Sequence, residues 1–369
     1  MKIICSRKDL YEGAGTVARA VSSRSALPIL SHILISASDG RIELAATDLE
    51  LGMRCSVDAK VDEEGAVTAP AKLLTDVLAA LPDFDVTIET DDKNTLTLTC
   101  GASEFTILGL AADEYPVLPK MGDDVKFKIA RKVLSEAVDR TVFATGRDES
   151  RPVLSGVYFK LENGTLKLVS TDTHRLCLET IPNVEYTGNT DAIVPAKALR
   201  EMARLASLGS DEEGVAEITI ADGRIMFEVD GITLTSRLID GVFPNFMRVI
   251  PSNNPIKVIA PTDLLRRCAK RCALVAANAL NRIVIDLAGE TLTVSAESSS
   301  VGKAKEDMQV IHSGDDLRIA FNVEYLLDMV TRTETESIEL EFGGEVKPAL
   351  MKPQGEEDYI YVLMPMQLN

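Results

Sequence analysis

Along "MKIICSRKDLYEGAGTVARAV" (1–21) the apolar positions read as a strand running into a helix, and the same reading holds for "VKFKIARKVLSEAVDRTVFA" (125–144) and "IKVIAPTDLLRRCAKRCALVA" (256–276). Each is followed by alternating apolar and polar residues broken at a glycine turn, as in "ILISASDGRIELAATD" (33–48) and "NRIVIDLAGETLTVSAE" (281–297). Helical spacing predicts six helices, at 7–21, 70–81, 131–147, 195–208, 263–282 and 322–332. A final pair of strands is expected in "SIELEFGGEVKPALMKP" (337–353).

This order of elements repeats. Residues 7–52 laid on 131–176 without a gap give twelve identities in 46 positions, among them Pro28/Pro152, Leu30/Leu154 and Thr47-Asp48/Thr171-Asp172. "APAKLL" (69–74) answers "VPAKAL" (194–199), and "LAADEYP" (110–116) answers "LIDGVFP" (238–244). A third, fainter copy follows from about residue 251, with "FNVEYLLDMV" (321–330) in the place of the two PAK helices. The expected fold class is α+β, three tandem repeats of a helix/antiparallel-sheet domain over 1–121, 122–250 and 251–369. In copies one and two the last strand leads into a Pro-containing connector; in copy three its equivalent, "LMPMQLN", ends the chain and must fold back onto the protein or meet a partner.

No apolar run reaches the ~18 residues of a membrane span, and the first residues lack the apolar core of a signal peptide, so a cytoplasmic protein is expected. The six cysteines show no CxxC pairing; Cys268 and Cys272, four apart on a helical face, read as reduced core residues. A net charge of −18 argues by itself against nucleic acid. Its distribution reverses that inference. The six predicted helices hold 17 Lys and Arg against nine Asp and Glu, a surplus of +8 over 89 residues, which leaves −26 for the rest. One such stripe runs through Arg266, Arg267, Lys270 and Arg271, opposite Leu264, Leu265, Cys268 and Cys272. A single basic helix face is ordinarily just solvated; segregation over most of the helices suggests one shared surface facing phosphates.

Catalytic chemistry finds little support. "GAGTVA" (13–18) fits a loose G-x-G-x-x-A, but helical sequence precedes it and the second copy reads "AVDRTV". His32, His174 and His312 lack metal-ligand spacing, and no nucleophile elbow is present. Acidic runs at Asp211-Glu212-Glu213 and Glu356-Glu357-Asp358 read as solvated loops. No catalytic residue, metal or cofactor is expected.

With the repeats in this order, the blocks "TDTHRL" (171–176), "FPNFMRVIP" (243–251), "FNVEYLLD" (321–328) and the terminal "VLMPMQL" together resemble the bacterial sliding clamp, the β subunit of DNA polymerase III, over the whole chain. That resemblance implies a non-catalytic processivity factor. Two chains would close head to tail into a six-domain ring, helices lining the hole and sheets outside, with double-stranded DNA threaded through regardless of its sequence. On the DNA side it implies, with charge, Arg24, Lys72, Arg147, Arg151, Lys197, Arg200, Arg266 and Lys270.

A hydrophobic groove between the second and third domains is implied for peptides carrying a glutamine followed by leucine and aromatic residues. These come from the replicative polymerase's α subunit, the clamp loader, other polymerases and repair proteins. Its residues would be Leu154, Thr171, His174, Arg175, Leu176, Pro244, Arg248, Val249, Leu280, Asn322, Tyr325, Val362, Met364, Pro365 and Met366. Leu280 departs from an aromatic found in some relatives, and Gln367 from a common arginine. The family often sets basic residues on the first domain's edge strand against acidic ones on the third. Here a reversed polarity is expected, Glu104 pairing with Lys303 or Lys305 around an apolar contact of Phe105 and Ile107 with Leu274 and Val275. The competing readings are an adaptor that binds peptides without enclosing DNA and, more remotely, a cryptic hydrolase or dehydrogenase.

Overall fold

A computed structural model describes residues 1–22, 27–119, 121–122, 124–188, 190–208 and 214–368. The first copy runs β1 (Lys2–Ser6), α1 (Arg7–Val17), β2 (His32–Ser38), β3 (Arg41–Thr47), β4 (Leu51–Asp58), β5 (Lys60–Glu63), β6 (Gly65–Pro70), α2 (Ala71–Ala80), β7 (Asp85–Thr90), β8 (Thr95–Cys100) and β9 (Ser103–Leu108). The second runs β10 (Val125–Ala130), α3 (Arg131–Thr141), β11 (Gly156–Glu162), β12 (Thr165–Thr171), β13 (Arg175–Ile181), β14 (Asp191–Pro195), α4 (Ala196–Leu208), β15 (Val215–Ala221), β16 (Arg224–Val229) and β17 (Ile232–Arg237). The third runs β18 (Ile256–Pro261), α5 (Thr262–Ala276), β19 (Arg282–Ala288), β20 (Thr291–Ser298), β21 (Gly302–Gln309), β22 (Ile311–Ser313), β23 (Leu317–Asn322), α6 (Val323–Arg332), β24 (Ser337–Phe342), β25 (Ala349–Pro353) and β26 (Tyr359–Leu363).

The α+β reading with antiparallel sheets holds, and several hairpins turn on Asp-Gly or Asn-Gly pairs in which both residues have positive φ, as at Asp39-Gly40 and Asn163-Gly164. Three helices stop earlier than expected. After α1 and α3 the chain tightens into single 3-10 turns at Ala18–Ala20 and Val142–Ala144. Ala20, Val142 and Ala144 remain buried there, so the apolar period continues past the α-helical bonds. α5 ends at Ala276, well short of residue 282; turns follow, and Leu280 and Asn281 take left-handed conformations (φ 55° and 56°). The G-x-G of "GAGTVA" lies inside α1, where a Cβ on Gly13 would sit 3.0 Å from both Leu44 and Val57. That glycine lets the helix lie close on β3 and β4; it cradles no phosphate.

The sheets do not respect the sequence copies. An eight-stranded sheet, β10-β15-β16-β17-β4-β3-β2-β6, joins the last strand of copy two to β4 of copy one. A nine-stranded sheet, β14-β11-β12-β13-β26-β25-β24-β18-β22, joins the last strand of copy three to β13 of copy two in the same way. The chain accordingly forms two compact units: Met1–Lys132 with Tyr186–Gly188 and Leu205–Leu238, and Val133–Glu185 with Asn189–Arg204 and Ile239–Asn369. The first unit also holds a sheet β5-β1-β7-β8-β9, the second a sheet β21-β20-β19-β23, so β9 and β21 are sheet edges. In the second unit α5, α6 and both sheets enclose a core that includes Cys177, Cys268, Cys272 and Tyr361. All six cysteines are free and buried.

Candidate functional site

Within the second unit, the ladder between β13 and β26 sets Leu176 opposite Val362. Both are buried, in one apolar cluster with Leu154, Val169, Leu178, Ile193, Phe243 and Phe246. Alternation along the two strands puts these side chains on one face of the sheet, while Cys177 and Tyr361 enter the core on the other.

One wall is the turn before β13. The Thr171 hydroxyl donates to the Arg175 carbonyl (2.6 Å) and accepts the Thr173 amide (3.1 Å). The Asp172 carboxylate accepts the amides of His174 (2.9 Å) and Arg175 (3.1 Å). These bonds hold Thr173 at φ 80°, costly for a β-branched residue, and leave His174 exposed. The copy-one turn repeats them with Thr47, Asp48 and Leu49 (φ 79°).

Arg175 turns inward and is only 8% exposed. Its guanidinium donates to Asp172 (3.0 Å), Asp328 (2.5 Å) and the Phe143 carbonyl (2.9 Å), and lies 4.3 Å over the Tyr325 ring. Burial disfavours its charge, but the neighbouring Tyr361 hydroxyl and the two carboxylates outweigh that and raise its pKa. Tyr325 also stacks beside His174 (6.2 Å between centroids) and accepts the Tyr361 hydroxyl on its carbonyl (2.8 Å). Asn322 caps α6 through the amides of Glu324 (2.9 Å) and Tyr325 (3.4 Å).

The opposite side is the connector after β17. Phe243 and Phe246 anchor it, Phe243 stacking on Tyr158 at 4.9 Å, while Pro244, Met247, Arg248 and Val249 stay exposed. The terminal segment packs back onto these elements. The Met364 amide donates to the His174 carbonyl (2.9 Å) and the Met366 amide to Ala320 on β23 (2.8 Å). The Arg282 guanidinium holds the carbonyls of Gln367 (3.3 Å) and Leu368 (3.4 Å). Met364, Pro365 and Met366 are half-buried, so the tail both packs and presents a surface. Leu280 is 86% exposed and belongs to neither apolar cluster of this unit. Tyr158, Phe143, Phe243, Phe246 and Asp328 were not anticipated; the FPNF run was the available signal for two of them.

Of the basic residues singled out above, Arg24 lies outside the described residues, as do Asp211-Glu212-Glu213. Lys72 is exposed on α2 in the first unit. In the second unit Lys197 and Arg200 are exposed on α4, and Arg147 and Arg151 on the loop after α3. Arg147 lies close enough to Arg200 to reinforce the effect of burial, and the Arg200 pKa falls. On α5, Arg266 and Arg267 pair with Asp263 and Arg271 with Glu306, while Lys270 makes no ion pair among the described residues. In the acidic loop, Glu356 pairs with Arg140 and Glu357 with Lys352. Among the described residues no group of three His, Cys, Asp or Glu could hold a metal.

Glu104 and Phe105 are exposed on β9, Ile107 is buried, and Leu274 is 76% exposed with Val275 half-buried. Lys303 pairs with Glu297 (2.8 Å) and Lys305 with Asp307 (3.4 Å).

The chain matches three family models for the DNA polymerase III beta subunit: its N-terminal domain over residues 1–119, its central domain over 128–245 and its C-terminal domain over 247–367. The chain belongs to the DNA polymerase III beta subunit family. It is 33% identical over 376 residues to the beta sliding clamp of Synechococcus elongatus, covering 100% of both chains. It is 30% identical over 359 residues to that of Staphylococcus aureus, covering 95% of this chain and 94% of the relative. The crystal structure of the Pseudomonas aeruginosa sliding clamp bound to griselimycin superposes with a TM-score of 0.94 at 31% identity, covering 100% of each chain. The Bacillus subtilis clamp gives 0.94 at 27%, also over 100% of each. Sliding clamps are non-catalytic subunits of DNA polymerase III, and the enzyme readings weighed for the sequence give way to that membership.

Proposed function

We propose that two copies of this chain close head to tail into a six-domain ring around duplex DNA in the cytoplasm. The ring tethers the replicative polymerase, the clamp loader and repair proteins through the groove at β13 and β26. Domain boundaries near residues 121 and 250 accompany this reading.

The observation that carries it is a junction made twice and left open once. β17 pairs with β4, and β26 with β13. The matching hairpins make β9 the equivalent of β17 and β26, and β21 the equivalent of β4 and β13. Of these equivalent strands, β9 and β21 lie at sheet edges, and a chain with one such open strand of each kind would form a heterologous contact that closes or propagates. Burial agrees. Leu234 and Tyr361 are 0% exposed at the two internal junctions, whereas their equivalent Phe105 is 39% exposed.

Transferring the internal register sets Glu104 opposite Lys305, Phe105 opposite Ala304 and Thr106 opposite Lys303. Phe143 meets Tyr361 at 6.1 Å across the β13–β26 junction, and the equivalent pair is Leu274 with Phe105. This supports the reversed charge polarity, with Lys305 the favoured partner proposed for Glu104. The exposed pair contributes no more than about 1 kcal/mol; the apolar contact dominates.

The basic residues Lys72, Arg147, Arg151, Lys197, Arg200, Arg266 and Lys270 would face phosphates without reading sequence. Pairing of most α5 arginines with carboxylates leaves that attraction weak, which suits sliding. The groove joins an apolar floor to adaptable methionines and an exposed His174, as a surface for several peptides requires.

The test is retention on DNA. Protein loaded on circular plasmid by its clamp loader is expected to survive a high-salt wash and to leave once the plasmid is cut. Retention on linear DNA in high salt, or salt release from intact circles, would mark a surface binder.

A further inference from the structure

The short turn Val142–Ala144 is held through two adjacent carbonyls by arginines from different places. Arg175, behind the groove wall, donates to the Phe143 carbonyl (2.9 Å), and Arg200 on α4 reaches the Val142 carbonyl (3.5 Å). The segment that follows is a closed loop. The Gly146 amide donates to the Leu154 carbonyl (2.7 Å), Leu154 to Arg151 (3.0 Å) and Arg151 to Asp148 (3.0 Å). A Cβ on Gly146 would lie 3.2 Å from that of Leu154, so the loop ends meet in close contact. Leu154 belongs to the buried apolar cluster with Leu176 and Val362, beneath the proposed peptide site, while Arg147 and Arg151 ride exposed on the same loop.

We propose that Arg175 and Arg200 are positioning residues gripping one turn, so that a peptide in the groove and a DNA phosphate at the Arg147–Arg200 pair bind with positive linkage. The inference rests on the functional reading above and adds a coupling to it. A peptide packed on Leu154 fixes the loop that presents Arg147, and the ordering cost is then already met when phosphate arrives. Linkage makes the effect reciprocal: DNA must favour the peptide by the same factor.

The experiment uses the full-length protein with two probes, a synthetic peptide carrying glutamine followed by leucine and phenylalanine, and a short duplex oligonucleotide at low salt. Saturating peptide is expected to tighten duplex binding about fivefold, and duplex to tighten peptide binding equally. Arg200→Lys keeps the charge but loses the guanidinium fork, and the factor should fall to near one whatever the separate affinities become. Amide exchange at Gly146 and Leu154 should slow with peptide alone. Failure of either probe to bind by itself overturns the functional reading. Binding of both with a factor of one, or a factor unaltered in Arg200→Lys, overturns the linkage alone.

Discussion

Thr173 sits at φ 80° because four hydrogen bonds to Thr171 and Asp172 over-determine the turn around it. A β-branched residue there stores strain that only the surrounding contacts maintain. Thr173→Gly should therefore raise stability by about 1 kcal/mol, after the added unfolded-state freedom of glycine is allowed for. Denaturant unfolding measures it; a loss of stability would show that the Thr173 side chain contributes more than its backbone costs. The motif "TDTHRL" was legible as a site, but not which of its members looks outward. His174 is exposed and Arg175 is drawn in by Asp328 and Phe143, residues distant in sequence that no local pattern connects to it.

At the scale of elements, the β13–β26 junction carries a buried excess of negative charge. Glu179 stands opposite Tyr359 in the ladder, and one of its oxygens is buried without a hydrogen-bond partner. Arg140, 3.8 Å away, is already engaged by both oxygens of Glu356 (2.6 and 3.2 Å). Burial above all, with Glu356, Asp358 and Glu136 against the single favourable charge of Arg140, pushes the Glu179 carboxyl up to about 7. A carboxyl whose folded pKa exceeds its unfolded value takes up protons on folding between about pH 4.5 and 7, so stability falls as pH rises through that window. Glu179→Gln removes the titration and should stabilise the protein above pH 8 by on the order of 2 kcal/mol, with little effect near pH 4. Thermal unfolding across pH reads the difference; an unchanged pH slope would mean that the carboxyl is solvated in the folded state. None of this was visible beforehand, because the groups around Glu179, namely Arg140, Tyr359, Glu356 and Asp358, come from segments far from it in sequence. The helices, by contrast, were legible in kind and number, and erred at their C-terminal ends, where buried 3-10 turns prolong the apolar period after α1 and α3 and where turns follow α5.

For the whole molecule, the repeats were legible because they are repeats of sequence. How strands are shared between them was not, since pairing of β4 with β17 and of β13 with β26 joins segments far apart in the chain. In the proposed ring, that sharing leaves a series of similar copies with one open strand of each kind, β9 and β21. In that proposed ring, β9 of one chain continues β21 of another and two such joints complete the circle. All six native cysteines are buried, so Glu104→Cys and Lys305→Cys in one chain provide exposed thiols for a short bismaleimide. The product should be a covalently closed dimer of twice 40.0 kDa, with the register-shifted pair at Glu104 and Lys303 reacting more slowly. A product that stays monomeric, or a ladder of ever longer open chains, would contradict it.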